Sequence, residues 1–297
     1  MPTVRKRATQ RQQRQMQIFE PTPKALESEV SNQLVKMALI CSNIQDNVFY
    51  LVLDNPERRN ALSIEMLEAI SDALDEADKN RDARAIVLSA NGPAFSAGHD
   101  LKELTAARNL EDKGQAFFKK TMQLCSLVMQ KIVNHRLPVI AAVHGTAAAA
   151  GCQLVASCDL AVASQDAKFI TPGVNIGLFC STPMVALSRN VANKHALEML
   201  LTGEPACAQK AEEIGLVNRA VPFEEVDLNV KWYTDRITAK SAMTIKIGKQ
   251  AYYNQSHMPL SEAYDYCTDV MVENMMKHDA AEGIGAFLEK REPYLAR

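Results

Sequence analysis

From Val48 onward, hydrophobic residues fall into short unbroken runs that alternate with amphipathic stretches. The runs at Val48–Leu53, Ala85–Ser89 and Pro138–Val143 are too short for helices and rich in β-branched or small apolar residues, which predicts strands. The stretches between them repeat apolar residues every three or four positions, which predicts helices. Unbroken apolar strands are typical of a parallel sheet covered on both faces. The pattern therefore predicts an α/β fold.

The same rules extend along the chain. Ser63 stands where it can cap a helix whose apolar stripe begins at Leu67. A long amphipathic helix is predicted from Gln115 to about His135, and nearly all of the chain beyond residue 183 is predicted to be helical. The remaining predictions are a short apolar helix at Gly151–Ser157, strands at Leu160–Ala163 and Lys168–Ile170, and a short extended piece at Val217–Val221.

Composition divides the chain into a leader (residues 1–42), a core (43–225) and a C-terminal helical region (226–297). The first 19 residues carry five basic side chains and no acidic one, which leaves 28 basic against 35 acidic residues, a net charge of −7, in the rest. A basic, acid-free head favours a mitochondrial targeting segment, and the alternative is a disordered tail of a cytoplasmic protein. The expected location is the mitochondrion, with the cytoplasm as the alternative.

Charge and cysteine usage exclude several classes of protein. A net charge of −2 argues against binding nucleic acid through phosphate contacts. The seven cysteines are odd in number and contain no CxxC pair, which argues against a disulfide framework or a metal site. The stretch Leu137–Cys158 lacks charged residues, but Pro138, Gly145 and Gly151 interrupt it. It is predicted to be buried strand, turn and helix, with no membrane span.

Two loops that follow buried strands are the candidate functional segments. They read FSAGHDLK (residues 95–102) and HGTAAAAGCQ (residues 144–153). Small residues let backbone amides approach a ligand closely, and the second loop leads into a helix whose first amides lack intrahelical partners. Two such loops, each offering an amide, can form an oxyanion hole. The alternative is that the small residues only permit tight turns and close packing.

These loops resemble segments of the enoyl-CoA hydratase/isomerase (crotonase) superfamily. Arg59-Asn60-Ala61-Leu62, with Pro56 before it, and Leu201-Thr202-Gly203, with Gly215-Leu216-Val217 after it, resemble further segments. The four motifs occur in order, and the resemblance covers residues 44–291. It implies a crotonase (ClpP-like) spiral of repeated β-β-α units, with C-terminal helices that assemble a homotrimer or hexamer. It also implies an acyl-CoA thioester of fatty acid metabolism as the ligand, and no separate cofactor.

The resemblance also implies roles for particular residues. Backbone amides that hold the thioester oxygen fall at His99 and Ala150. The segment from His99 through Asp100 and Leu101 to Lys102 matches the stretch that lines the CoA pocket. Lys102, Arg58 and Arg59 could neutralise CoA phosphates or be ordinary surface charges.

The two glutamates that move protons in the hydratases fall on Gln153 and Gly173. Gln cannot exchange a proton near neutral pH and Gly has no side chain. The resemblance therefore implies that hydratase activity is weak or absent.

Other chemistry stays open. Gln153 could bind the acyl group or hold a water. Cys180 could act as a nucleophile if a base lowered its pKa, and His99 could pair with Asp100 in acid–base work. In structural roles, Cys180 would pack and Asp100 would cap the turn that follows it. The alternatives to an impaired hydratase are repurposed isomerase, thioesterase or decarboxylase chemistry, and a regulatory or structural oligomer subunit.

Overall fold

The computed structural model of the protein describes residues 39–295, and within them nine β-strands and eleven α-helices form. Of the predicted leader, only residues 39–42 lie inside this range. The strands are β1 (Ile40–Gln45), β2 (Val48–Leu53), β3 (Ala85–Ala90), β4 (Val139–Val143), β5 (Thr146–Ala148), β6 (Leu160–Ser164), β7 (Lys168–Ile170), β8 (Ala206–Cys207) and β9 (Arg219–Val221).

The helices are α1 (Ile64–Lys79), α2 (Leu101–Ala107), α3 (Gln115–Asn134), α4 (Ala150–Ser157), α5 (Ser181–Asn190), α6 (Asn193–Thr202), α7 (Ala208–Glu213), α8 (Val226–Thr238), α9 (Ala242–Gln255), α10 (Leu260–Met275) and α11 (His278–Glu289). Short 3₁₀ helices lie at Pro56–Arg58, Pro172–Ile176 and Phe223–Glu225.

The main sheet has the strand order β1-β2-β3-β4-β6-β9, and every neighbouring pair except β1 and β2 is parallel. This confirms the predicted parallel sheet. A second, three-stranded sheet has the order β5-β7-β8. The antiparallel β1 was not predicted, and it begins three residues before the predicted start of the core. Asp46 and Asn47, which turn the chain into β2, have φ angles of 51° and 64°, and such positive angles are typical of tight hairpin turns.

Both faces of the main sheet are covered, which explains why its strands are apolar throughout. Val139 and Ala141 of β4 belong to the core that contains the buried faces of α1 and α3. Ile140 and Ala142, which point the other way because side chains alternate along a strand, pack with Val226 of α8. The uncharged stretch 137–158 thus folds as β4, β5 and α4, as predicted. Within residues 39–295, no helix combines the length and the apolar character needed to cross a membrane.

A buried ion pair fixes α9 to the core. The Nζ of Lys249 lies 2.6 Å from a carboxylate oxygen of Asp159, and their side chains are 7% and 15% exposed. Nζ also donates to the carbonyl oxygens of Ile132 and Leu137 at 3.0 Å each, and the Tyr253 hydroxyl donates to the other Asp159 oxygen at 2.9 Å. Charge-assisted hydrogen bonds to every partner offset the cost of burying the ammonium group.

The last two helices leave apolar side chains in contact with solvent. The sequence left open whether their apolar residues pack on the core or on another subunit. In the chain by itself these residues are more than half exposed and do not pack on the core: Met271, Met275, Ile284, Phe287 and Leu288. Exposed apolar surface of this extent is typical of an interaction site.

Candidate functional site

The two candidate loops lie against each other. Ser96 donates its N–H to the Thr146 carbonyl at 3.2 Å, and Ala148 donates to the Ser96 carbonyl at 2.8 Å. A side chain at Gly98, where φ is +82°, would put its Cβ 2.8 Å from the Ala148 oxygen and 3.3 Å from the Ala150 nitrogen. Only glycine allows the first loop to approach the start of α4 this closely. The structure therefore brings together the segments that carry His99 and Ala150.

The backbone amides of His99 and Ala150 stand out because their hydrogen-bonding capacity is unused within the described residues. Neither N–H donates a hydrogen bond to any acceptor within residues 39–295. Ala150 is the first residue of α4, where an amide has no intrahelical partner and the helix dipole favours negative charge. Buried amides are nearly always paired, so two unused donors on adjoining loops are a notable departure.

Ala149 holds a strained backbone immediately before the Ala150 amide. Its φ is 49° and its ψ is −114°, a conformation that residues other than glycine rarely adopt. Such strain costs roughly 1–3 kcal/mol and clusters at functional sites. The Ala149 N–H donates to the Ile170 carbonyl at 2.8 Å, which helps to hold the turn. Nothing in a run of four alanines reveals this geometry, so the sequence missed it.

Asp100 fixes the first loop as the N-cap of α2. One carboxylate oxygen accepts hydrogen bonds from the N–H groups of Lys102 and Glu103 at 2.8 and 3.3 Å, as the predicted capping role requires. The other oxygen pairs with Arg58 at 2.9 Å. Leu101 and Lys102, which follow, are exposed at the start of α2. Both Asp100 oxygens are therefore occupied.

The His99 ring makes no hydrogen bond with Asp100. Its Nδ1 is 3.4 Å from the carbonyl oxygen of Leu62, which places the proton on Nδ1 because a carbonyl only accepts. Its Nε2 is buried and lacks a partner within residues 39–295. Burial lowers the pKa of His99, only partly opposed by the bond to Leu62. This geometry gives no support to the His99–Asp100 acid–base pair that the sequence left open.

Gln153 lies inside the protein on α4. Its side chain is 4% exposed, and its Oε1 lies 3.9 Å from the Cys125 sulfur of α3. Burial raises the pKa of the Cys125 thiol to about 12, so this neighbour stays protonated near neutral pH. Gln153 and its thiol partner thus provide no group that exchanges protons readily.

Gly173 lies where there is no room for a side chain. A Cβ there would lie 2.6 Å from the Leu178 carbonyl oxygen and 2.9 Å from the Cys180 sulfur. Cys180 is itself buried, and burial raises the pKa of its thiol although a hydrogen bond from the Gly173 backbone opposes this. A nucleophilic cysteine needs the opposite shift. The packing role of Cys180 fits the geometry, and the nucleophilic role does not.

An apolar groove of about 310 Å³ adjoins the first loop, along α2 and the start of α3. Its lining residues are Glu103, Ala106, Ala107, Leu110 and Phe117. No sequence pattern singles out Glu103, since its place in the groove depends on the packing of α2 against α3. In the described part of the chain, no cluster of three or more His, Cys, Asp or Glu residues could hold a metal ion.

A family model for enoyl-CoA hydratase/isomerase matches residues 43–296. The chain belongs to this family. The enoyl-CoA hydratase/isomerase relatives include human enoyl-CoA hydratase domain-containing protein 3, mitochondrial, which is 50% identical over 249 residues (84% of this chain and 80% of the relative). The rat protein of the same name is 49% identical over 250 residues (84% and 81%). A putative enoyl-CoA hydratase of Thermus thermophilus is 32% identical over 247 residues (83% and 96%).

The crotonase fold of this family is confirmed by solved structures. The crystal structure of human enoyl-CoA hydratase domain-containing protein 3 superposes with a TM-score of 0.82 at 45% identity, over 86% of this chain and 99% of that one. An enoyl-CoA hydratase from Mycobacterium smegmatis gives 0.82 at 44% identity, over 86% and 98%. Proteins of this family bind acyl-CoA thioesters.

Proposed function

We propose that the protein binds an acyl-CoA thioester with its carbonyl oxygen between the backbone amides of His99 and Ala150, and that it hydrates enoyl-CoA weakly or not at all. The observation that carries the proposal is the pair of unused amides on adjoining loops. The residues at the two proposed glutamate positions, Gln153 and Gly173, carry no group that gains or loses a proton near neutral pH. The site thus keeps the groups that stabilise negative charge and lacks those that move protons.

The expected catalytic consequence follows from typical magnitudes. An acid–base group contributes about 10²–10⁴-fold to rate, and losses within one catalytic unit are not additive. An oxyanion hole with substrate binding can by itself leave a residual rate of roughly 10³-fold over water. We therefore expect binding to survive, with a hydration rate orders of magnitude below that of a glutamate-bearing hydratase.

The CoA moiety would lie along the segment from His99 to Lys102. Lys102 and Arg59 are exposed and would pair with its phosphates. Arg58 already neutralises Asp100 at 2.9 Å, so it would contribute less net positive charge. Surface lysine and arginine side chains bind phosphates most strongly when several of them make contact together.

Assembly and location complete the proposal. The exposed apolar residues of α10 and α11 support a homotrimer or hexamer in which another subunit covers these helices, since apolar patches of this extent are rarely left in water. The relatives from human and rat are named mitochondrial. We propose the same location for this protein, and a role in fatty acid metabolism.

A matched pair of ligands tests the amide donors directly. Butyryl-CoA and its thioether analogue S-butyl-CoA differ chiefly in the carbonyl oxygen. Two hydrogen bonds contribute about 1–3 kcal/mol together, so the thioester should bind roughly 5- to 150-fold tighter by calorimetry. Infrared spectra should also show the bound carbonyl stretch at lower frequency than the free one. Equal affinities and an unshifted stretch would overturn the proposed amide contacts.

A second measurement tests the catalytic half. Crotonyl-CoA is incubated with the protein, and hydration is followed by mass spectrometry. We expect binding without efficient conversion. Turnover within tenfold of a hydratase that has both glutamates would contradict the roles given to Gln153 and Gly173. The absence of any CoA-ester binding would instead leave a structural subunit as the explanation.

A further inference from the structure

The groove between α2 and α3 is lined by two helices that also lead to residues of the candidate site. Helix α2 begins at Leu101, two residues after His99. Phe117 lines the groove on α3, and Cys125, eight residues further along the same helix, contacts Gln153. Eight residues of helix span about 12 Å. The Phe117 end of the groove therefore lies further along α3 from the residue that contacts Gln153 than three carbon atoms of an acyl chain extend.

Glu103 is the one charged side chain that lines this groove, and it is held in place. Its Oε2 accepts a hydrogen bond from the N–H of Ile64, the first residue of α1, at 3.2 Å. Its Oε1 receives no hydrogen bond from any residue in the range 39–295. Burial raises the pKa of Glu103, with the Ile64 bond opposing and the charge of Asp100 adding to the shift. One carboxylate oxygen is thus structural, and the other is free for a ligand.

A free carboxylate oxygen in an apolar groove selects among acyl chains. A plain hydrocarbon chain would displace water from Oε1 and return no hydrogen bond, which is unfavourable. A chain with a hydroxyl group would donate to Oε1 while its methylene groups contact the alanines, leucine and phenylalanine of the lining. A neutral hydroxyl is also easier to desolvate than an ammonium group. The lining therefore suits a mainly apolar chain that carries one neutral donor.

We propose that the groove accepts an acyl chain with a hydroxyl group well beyond the third carbon, and that Glu103 is its hydrogen-bond acceptor. This inference rests on the proposed function, because it takes the acyl-CoA thioester as given and names the kind of acyl chain. Glu103 is a specificity-determining residue in this scheme and takes no part in proton transfer.

The test compares hexanoyl-CoA, 3-hydroxyhexanoyl-CoA and 6-hydroxyhexanoyl-CoA by calorimetric titration of the full chain. A hydrogen bond to a charged group contributes about 1.5–3 kcal/mol. The wild type should therefore bind the 6-hydroxy ester roughly 10- to 150-fold tighter than hexanoyl-CoA, with no such preference for the 3-hydroxy ester. Glu103→Gln retains an amide oxygen for the Ile64 N–H but loses the negative charge. Its preference for the 6-hydroxy ester over hexanoyl-CoA should therefore fall to a few-fold.

The control is Glu111→Gln, the same substitution at an exposed position close by that does not line the groove. It should retain the wild-type preference. Equal binding of hexanoyl-CoA and the 6-hydroxy ester by the wild type would overturn this inference and leave the proposed function intact. So would a preference for the 3-hydroxy ester, or a preference unchanged in Glu103→Gln. If none of the three esters binds, the proposed function fails and this inference with it.

Discussion

Substitution of Gly173 tests whether neighbouring atoms already fill the space that a side chain at this position would need. In Gly173→Ala, the new Cβ would lie 2.6 Å from the Leu178 carbonyl oxygen and 2.9 Å from the Cys180 sulfur. The sulfur can rotate away, but the carbonyl belongs to a residue whose own N–H is bonded to the Gly173 carbonyl at 2.9 Å. Forcing atoms into a filled site typically costs about 1–3 kcal/mol. We expect Gly173→Ala to lose that much free energy of unfolding.

Urea unfolding measures this loss, and Gly248→Ala is the matched control. Gly248 lies within α9, and a Cβ there would meet no atom within 4 Å. The control should be stabilised by about 0.5–1 kcal/mol, because alanine is the better helix former. If Gly173→Ala is as stable as the wild type, the steric argument is wrong.

The lack of space at position 173 also predicts the outcome of introducing glutamates at positions 153 and 173. Gln153→Glu replaces a side chain that the structure already accommodates, whereas Gly173→Glu must displace the Leu178 carbonyl. The double variant should therefore hydrate crotonyl-CoA no faster than Gln153→Glu alone, as followed by the loss of enoyl absorbance. A double variant that clearly outperforms the single one would show that the segment yields readily and would refute the reasoning.

Three further predictions concern residues that hold the core and the loops. Lys249→Met leaves the Asp159 carboxylate without its ion-pair partner and should cost about 3–5 kcal/mol in urea unfolding; a cost below 1 kcal/mol would contradict this. Burial lowers the pKa of His135, so the unfolded chain takes up more protons and stability should fall as pH drops below about 6.5. His135→Gln should reduce that pH dependence, to which His99 contributes in the same direction. An unchanged slope would show that His135 does not contribute. Asn60→Ala removes hydrogen bonds to the Asn55 N–H and to the carbonyls of Asn91 and Ala94. The substitution should lower the free energy of unfolding by more than about 2 kcal/mol and weaken acyl-CoA binding in calorimetry. A wild-type affinity would show that Asn60 does not support the site.

Local patterns in the sequence predicted the parts of the fold that local chemistry decides. The apolar run Val48–Leu53 coincides with β2 because each of its side chains meets a covered face of the sheet. Ser63 accepts a hydrogen bond from the Met66 N–H at 3.1 Å, and Asp100 caps α2, because capping depends on residues only two or three positions apart. The motif resemblance then supplied the topology, which periodicity alone does not give.

Features that depend on distant contacts could not be predicted. Five of the six residues of β1 are exposed and show no regular apolar period, so only pairing with β2 defines this strand. The strained backbone of Ala149 and the free oxygen of Glu103 likewise arise from neighbours far along the chain. The sequence shows that position 173 lacks a carboxylate, but the proximity of Leu178 is a tertiary fact.

The two proposed glutamate positions differ from each other in a way that bears on function. A glutamate simply deleted from a packed site would leave a cavity, which is costly in a protein interior. At position 173, Leu178 and Cys180 occupy the space that a side chain would need. At position 153, the amide of Gln153 contacts the protonated thiol of Cys125. Both positions are thus filled with groups that neither ionise nor leave a void. The loops with the unused amides, by contrast, retain a strained backbone at Ala149. Strain where a carbonyl would bind, together with closure where protons would move, is what we expect of the proposed function, in which the site holds a thioester without turning it over.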